Sequence, residues 1–256
     1  MRIVIKVGTS TLTYGTGRLN IRRVEKLCTV ISDLKNSGHE VILVSSGAIG
    51  MGVGKLNLSE RPTDIPTKQA AAAVGQCDLM YTYDKLFSEY RHTVAQLLLT
   101  GYDLTNEHSS VNFRNTLMRL LELGVLPIVN ENDTVSTDEI KIGDNDTLGA
   151  VVAESTGAGL LVMLTDIDGL YTADPRKDES AELIPVVETI DDSIRSLADD
   201  CHSGFGTGGM ITKIRAAEIA VKSGCDVVIA NGSDPSVLYG IVEGEQIGTR
   251  FIAERK

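Results

Sequence analysis

Continuous apolar runs rich in β-branched residues fall at 3–7, 40–45, 93–99, 125–130, 160–165 and 226–230. Most are unbroken rather than alternating, the pattern of strands covered on both faces. Between the first two, Val24, Leu27, Cys28, Ile31 and Leu34 recur at helical spacing, with Asn20 as the predicted N-cap and Gly38 just past the end. Further helices are predicted over about 66–91, over about 109–123 before Gly124, and over 210–223. In the last, Met210, Ile214, Ala217 and Val221 share one face and Gly224 follows. Strand and helix in alternation predict an α/β fold, a three-layer αβα sandwich around a mainly parallel central sheet. Such sheets bind ligands beyond the C-terminal ends of their strands, so the residues after each strand are the ones to inspect. No internal repeat or Pro/Ser-rich linker divides the 256 residues, and the softest point for a lobe boundary is near 150–160.

Composition narrows the function by exclusion. The chain is 42% hydrophobic and 23% charged, as globular proteins are. A formal net charge of −11 argues against a nucleic-acid partner. It also means that an anionic ligand, repelled at long range, must be held by a few local cations or backbone N–H groups. Cys28, Cys77, Cys201 and Cys225 form no CxxC pair, so neither a disulfide framework nor a zinc site is suggested and a reducing compartment is expected. Lys6 interrupts the first apolar run, which is no signal peptide, and no run is long enough to span a bilayer. The expected location is cytoplasmic, with no membrane contact.

The candidate chemistry lies after the strands. Lys6 ends the first, followed by Gly8, Thr9 and Ser10; the plainer reading is a lysine reaching solvent. The second runs into SSGAIG at 45–50, followed by Gly52 and Gly54. Glycines there let backbone N–H groups approach an anion, although glycine also simply ends strands. The fourth runs into Asn130, Glu131, Asn132 and Asp133, suited to an ammonium group. The decapeptide KIGDNDTLGA at 141–150 is no calcium loop, because its fifth and twelfth positions from Asp144 hold Leu148 and Ser155. Asp144 can cap the helix that follows, with Asn145 and Asp146 in its first turn; a plain turn remains open. Finally, 204–209 fit GxGxxG, but no strand precedes them, and Lys213 stands four residues past Gly209 rather than at the Walker position. Glycine N–H groups, a helix start and a lysine one turn in are nevertheless a kit for gripping polyphosphate.

In this order, IKVGTS at 5–10, SSGAIG, KQAAAAVGQ at 68–76, VNEND at 129–133, EIKIGDND at 139–146, MLTDIDGLYTADPR at 163–176 and GFGTGGMITK at 204–213 resemble the amino acid kinase family. GDND together with GTGGMxTK is similar to the branch that phosphorylates the γ-carboxylate of L-glutamate rather than to carbamate, aspartate or uridylate kinases. The resemblance covers essentially the whole chain. It implies one kinase domain over 1–256, with a glutamate-binding lobe at about 1–155, an ATP-binding lobe at about 156–256, and no C-terminal PUA domain. It implies ATP-dependent formation of L-glutamyl 5-phosphate, the first step of L-proline synthesis, with Mg²⁺ held mainly by the nucleotide's phosphates and no protein metal site. Carried over onto matching positions, Lys6, Lys213 and Asp146 are the expected catalytic groups. Lys6, Gly8, Thr165, Asp166, Thr207, Gly208, Gly209, Met210, Ile211, Thr212 and Lys213 are expected around ATP; Ser46, Gly47, Asp133 and Asn145 are expected around glutamate. Helix 66–91, with Lys68, Gln69 and Gly75, is left as scaffold or site. The resemblance further implies a homo-oligomer, dimer or tetramer, and feedback inhibition by proline, in which Glu139 and Lys141 would take part. It also makes glutamyl phosphate reductase a candidate partner. A kinase of another carboxylate, or a nucleotide sensor without catalysis, are the rival readings.

Overall fold

The computed structural model describes residues 1–16, 18–135, 145–199 and 209–254. Its strands are β1 (Arg2–Val7), β2 (Glu40–Ser45), β3 (Val94–Leu99), β4 (Leu126–Glu131), β5 (Leu160–Thr165), β6 (Val186–Val187), β7 (Asp226–Asn231) and β8 (Thr249–Phe251). They form one eight-stranded sheet in the order β3-β4-β2-β1-β5-β7-β8-β6. Its pairings are parallel except that of β7 with β8. The strand order reverses at β1, which pairs with β2 on one side and β5 on the other. A crevice at such a switch point is where open α/β sheets bind ligands.

Helices cover both faces. The first half of the chain supplies α1 (Thr9–Leu12), α2 (Ile21–Asn36), α3 (Ala48–Lys55), α4 (Ile65–Ser88), α5 (Gly101–Thr105) and α6 (Glu107–Glu122). The second supplies α7 (Asn145–Thr156), α8 (Asp192–Asp199), α9 (Met210–Lys222) and α10 (Val237–Glu243). The two-residue period of β1 divides the core. Ile3, Ile5 and Val7 pack with α2, α4 and α10, whereas Val4 packs with α6, α7 and α9. Lys6 shares the face of Val4 and is thereby aimed at α7 and α9. The predicted apolar positions of α2 and α9 are all buried, and the Asn20 side chain accepts from Arg23 N as the N-cap. Gly38, Gly124 and Gly224 end their helices at positive φ, where L side chains are strained.

The glycines at 45–54 require a correction. A helix, α3, begins at Ala48, and Met51 N already donates to Gly47 O, so only the segment's start offers free N–H groups to an anion. Gly52 instead serves a helix contact. A Cβ there would lie 1.8 Å from Ala71 O of α4, and one on Gly75 would lie 1.8 Å from Ala48 O. Only glycine permits α3 and α4 to approach this closely.

Candidate active site

Three charged side chains, remote in sequence, meet at the C-terminal end of β1. Lys6 comes from that strand, Asp146 from the first turn of α7 and Lys213 from the start of α9. Lys6 Nζ lies 2.6 Å from Asp146 Oδ1, and Lys213 Nζ lies 3.0 Å from Asp146 Oδ2. Exposure is 7% for Lys6, 1% for Asp146 and 5% for Lys213. Buried charges persist only when paired, and here one carboxylate serves two ammonium groups. Charges held where the local dielectric is low act strongly on an approaching anion. Burial acts to raise the Asp146 carboxyl, but the charges and hydrogen bonds of Lys6 and Lys213 overrule it and hold the group down at about 2. Thr212 Oγ1 is 3.1 Å from the same Oδ2 and 2.8 Å from Gly209 O, either of which can accept its proton.

The backbone around this triad is bare of side-chain caps. Gly8, Gly47 and Gly209 precede α1, α3 and α9, and none of the three is capped by a side chain. Ser236, ahead of α10, does not cap either. By contrast Asn20, Asp64, Thr100 and Asn106 cap α2, α4, α5 and α6. Uncapped N–H groups beside two ammonium groups suit an anion with several oxygens.

Next to the triad, at the ends of β2 and β4, lies a chain of amides. Asn145 Nδ2 donates to Ser46 Oγ at 2.7 Å and to Asn130 Oδ1 at 2.9 Å. Asn130 Nδ2 in turn donates to Gln76 Oε1 at 2.8 Å. Asn145 Oδ1 is buried with no hydrogen-bond partner among the described residues, an acceptor left for something else. Asp133 stands in the turn just past β4, half-buried. Asn145 is adjacent in sequence to Asp146, so one helix start serves both the charged and the amide cluster.

A family model for the amino acid kinase family matches residues 1–231. A glutamate 5-kinase of Clostridium perfringens is 52% identical over 99% of this chain and 96% of its own length. The chain belongs to the amino acid kinase family. A glutamate 5-kinase of Clostridium tetani is 54% identical over 98% of this chain and 94% of its own length. One from a Thermoanaerobacter species is 53% identical over this whole chain and 69% of its own. Among solved structures, carbamate kinase from Giardia lamblia bound to AMP-PNP superposes with a TM-score of 0.69 at 18% identity, over 99% of this chain and 98% of its own. The product complex of T. acidophilum isopentenyl phosphate kinase gives 0.67 at 18% identity, over 98% of this chain and all of its own. At that identity the likeness speaks for the fold.

Other expected site residues of this amino acid kinase are placed less directly. Thr165 closes β5 and donates through Oγ1 to Asp166 Oδ1 at 3.1 Å. Met210 is buried in the core and Ile211 packs against it, so their backbone N–H groups rather than their side chains are available to a ligand. Thr207 and Gly208 lie outside the described residues, as do Glu139, Lys141 and Asp144. Among the described residues no group of three or more His, Cys, Asp or Glu is arranged to hold a metal, and Asp146 is taken up by its lysines. Free Cys28 and Cys225 are buried and Cys77 is exposed. No helix among the described residues is long and apolar enough to cross a membrane.

Gln76 was not among the expected site residues, and Asn130 entered only as part of the stretch suited to an ammonium group. The available signal was polarity in the wrong place: Asn130 ends an otherwise apolar run, and it is 2% exposed. Gln76 follows the glycine that lets α4 close on α3, and it is 7% exposed.

Proposed function

We propose that this chain transfers the γ-phosphoryl group of ATP to the γ-carboxylate of L-glutamate, giving L-glutamyl 5-phosphate at the entry to proline synthesis. The observation that carries this reading is the buried Asp146 with an ammonium group on each of its oxygens. Phosphoryl transfer to a carboxylate brings two anions together, so the protein's task is positioning and charge neutralisation. Lys6 and Lys213, aimed by Asp146, supply positive charge at the transferring group and so stabilise the charge that spreads over its oxygens in the transition state. The ion pair from Lys6 and the charge-assisted hydrogen bond from Lys213 to one carboxylate hold that aim without further reorganisation. Backbone N–H groups at Gly8 and Gly47 add donors to the phosphoryl oxygens. A Mg²⁺ ion brought with the nucleotide would add positive charge at the phosphates, beside that of Lys6 and Lys213.

Glutamate is placed by the amide cluster. Ser46, Gly47 and Asn145 border its γ-carboxylate and chain, and Asp133 with Asn145 Oδ1 provides acceptors for its ammonium. Thr165, Asp166 and 207–213 border the nucleotide. The amino-acid half is then about 1–155 and the nucleotide half about 156–256, meeting at the β1–β5 junction. The reading extends to a cytoplasmic homo-oligomer that proline inhibits and that hands its labile acyl phosphate to glutamyl phosphate reductase. ADP release measured with a panel of acids tests the central assignment. Turnover with glutamate and little with aspartate or acetylglutamate is expected; turnover confined to another acid contradicts it.

A further inference from the structure

The amide chain has a fixed polarity, and that polarity leaves one donor over. Asparagine and glutamine amides are often ambiguous in orientation, since O and N look alike. Here the backbone removes the ambiguity: Glu131 N donates to Asn130 Oδ1 at 2.9 Å, and a backbone N–H can only donate. Asn130 Oδ1 is therefore an oxygen, which makes its Nδ2 the donor to Gln76 and makes Asn145 Nδ2 the group facing Asn130. Gln76 must then present Oε1 to Asn130, and its Nε2 is left buried with no partner among the described residues. A buried amide nitrogen without an acceptor keeps the cost of its lost hydration, so its persistence needs a reason.

We infer that Gln76 is a substrate-contacting residue, whose Nε2 donates to the α-carboxylate of the amino-acid substrate. The inference rests on the glutamate reading above. The γ-carboxylate must lie at Lys6, at the end of β1. Asn130 lies one residue before the end of β4, two strands away in the sheet, about 10 Å at ordinary strand spacing. The far end of glutamate, with its ammonium and α-carboxylate, thus reaches toward Asn130 and Gln76. Acceptors for the ammonium are at hand in Asp133 and Asn145 Oδ1. In a chain of net charge −11, those same acceptors repel the α-carboxylate unless a donor offsets them. Gln76 Nε2 is a donor held in place for that purpose, since Asn130 fixes its oxygen and Gly75 lets α4 come close.

Gln76→Glu separates this role from a scaffold role. It keeps an oxygen for Asn130 Nδ2 but replaces the donor by a negative charge. The matching ligand is L-isoglutamine, which keeps the γ-carboxylate and ammonium but carries an α-carboxamide. Preference for glutamate over isoglutamine is measured as a ratio of kcat/KM, or of inhibition constants for a ligand that is not turned over. The variant should raise the KM for glutamate tenfold or more, leave the KM for ATP within about twofold, and shift the preference at least tenfold toward isoglutamine. An unchanged preference, or equal weakening of both ligands, overturns the inference. Should that variant fail to fold, Gln76→Met is used: a KM for glutamate within about twofold of the parent overturns the inference, and a tenfold rise with unchanged ATP affinity supports it. A parent enzyme that does not phosphorylate glutamate counts against the function proposed above, and is seen before any variant is made.

Discussion

Asp146 balances two lysines, and each member of that set has a separate consequence. Losing one charge-stabilising donor from a transferring group typically lowers turnover by roughly 10²–10³-fold. Lys213→Ala is expected to do this while leaving the fold intact, measured as kcat with circular dichroism as the control; unchanged turnover in a folded variant removes the role. Asp146 itself sets a pH window. Its carboxyl, ordinarily near 3.8, is depressed in the folded chain to about 2. A depressed acid stabilises the fold fully above its unfolded value and loses that contribution as pH falls through the folded one. The stability gap between the parent and Asp146→Asn, from urea unfolding, should be flat from pH 8 to 5 and shrink between about 4 and 2. A gap that already closes between pH 7 and 5 contradicts the ion-pair account. Lys6 and Asp146 were singled out by the family resemblance, since position alone left Lys6 reaching solvent and Asp146 in a plain first turn. Gln76 was not, because a glutamine inside a helix looks like surface until the helix's neighbour is known.

Helix α3 shows how an element can defeat its own sequence. Its eight residues, AIGMGVGK, are glycine-rich, a composition with poor helix propensity that reads as a loop. It forms because the missing side chains let it lie against α4, and tertiary contact overrides propensity. Gly52→Ala and Gly75→Ala should therefore destabilise the protein by about 1–3 kcal/mol or more, since each Cβ would meet a backbone oxygen that cannot turn aside. Gly50→Ala is the control: its Cβ would meet the Thr9 Cγ2 at 3.4 Å, an ordinary contact, and alanine is the better helix former. Equal urea midpoints for all three variants contradict the packing argument. Helices α2 and α9 were legible from their apolar stripes and terminal glycines. The strands β6 and β8, two and three residues long, carry too few positions to show a period.

Across the whole molecule, the sheet order explains why residues 6, 146 and 213 converge. The strand that carries Lys6 lies at the reversal of strand order, and the helices that carry Asp146 and Lys213 pack side by side over its face. The α/β class was legible because strands and helices alternate along the chain. The order of the strands was not, because adjacency depends on which crossovers pack and not on any local pattern. With a formal net charge of −11, attraction of the anionic ligands falls to this small cationic centre and the N–H groups around it. The most direct test is to trap the product. With ATP, glutamate and hydroxylamine, the chain should form glutamyl hydroxamate in step with ADP, and Lys213→Ala should lower both together. ADP release without hydroxamate, or hydroxamate formation undiminished in Lys213→Ala, contradicts transfer to a carboxylate at this triad.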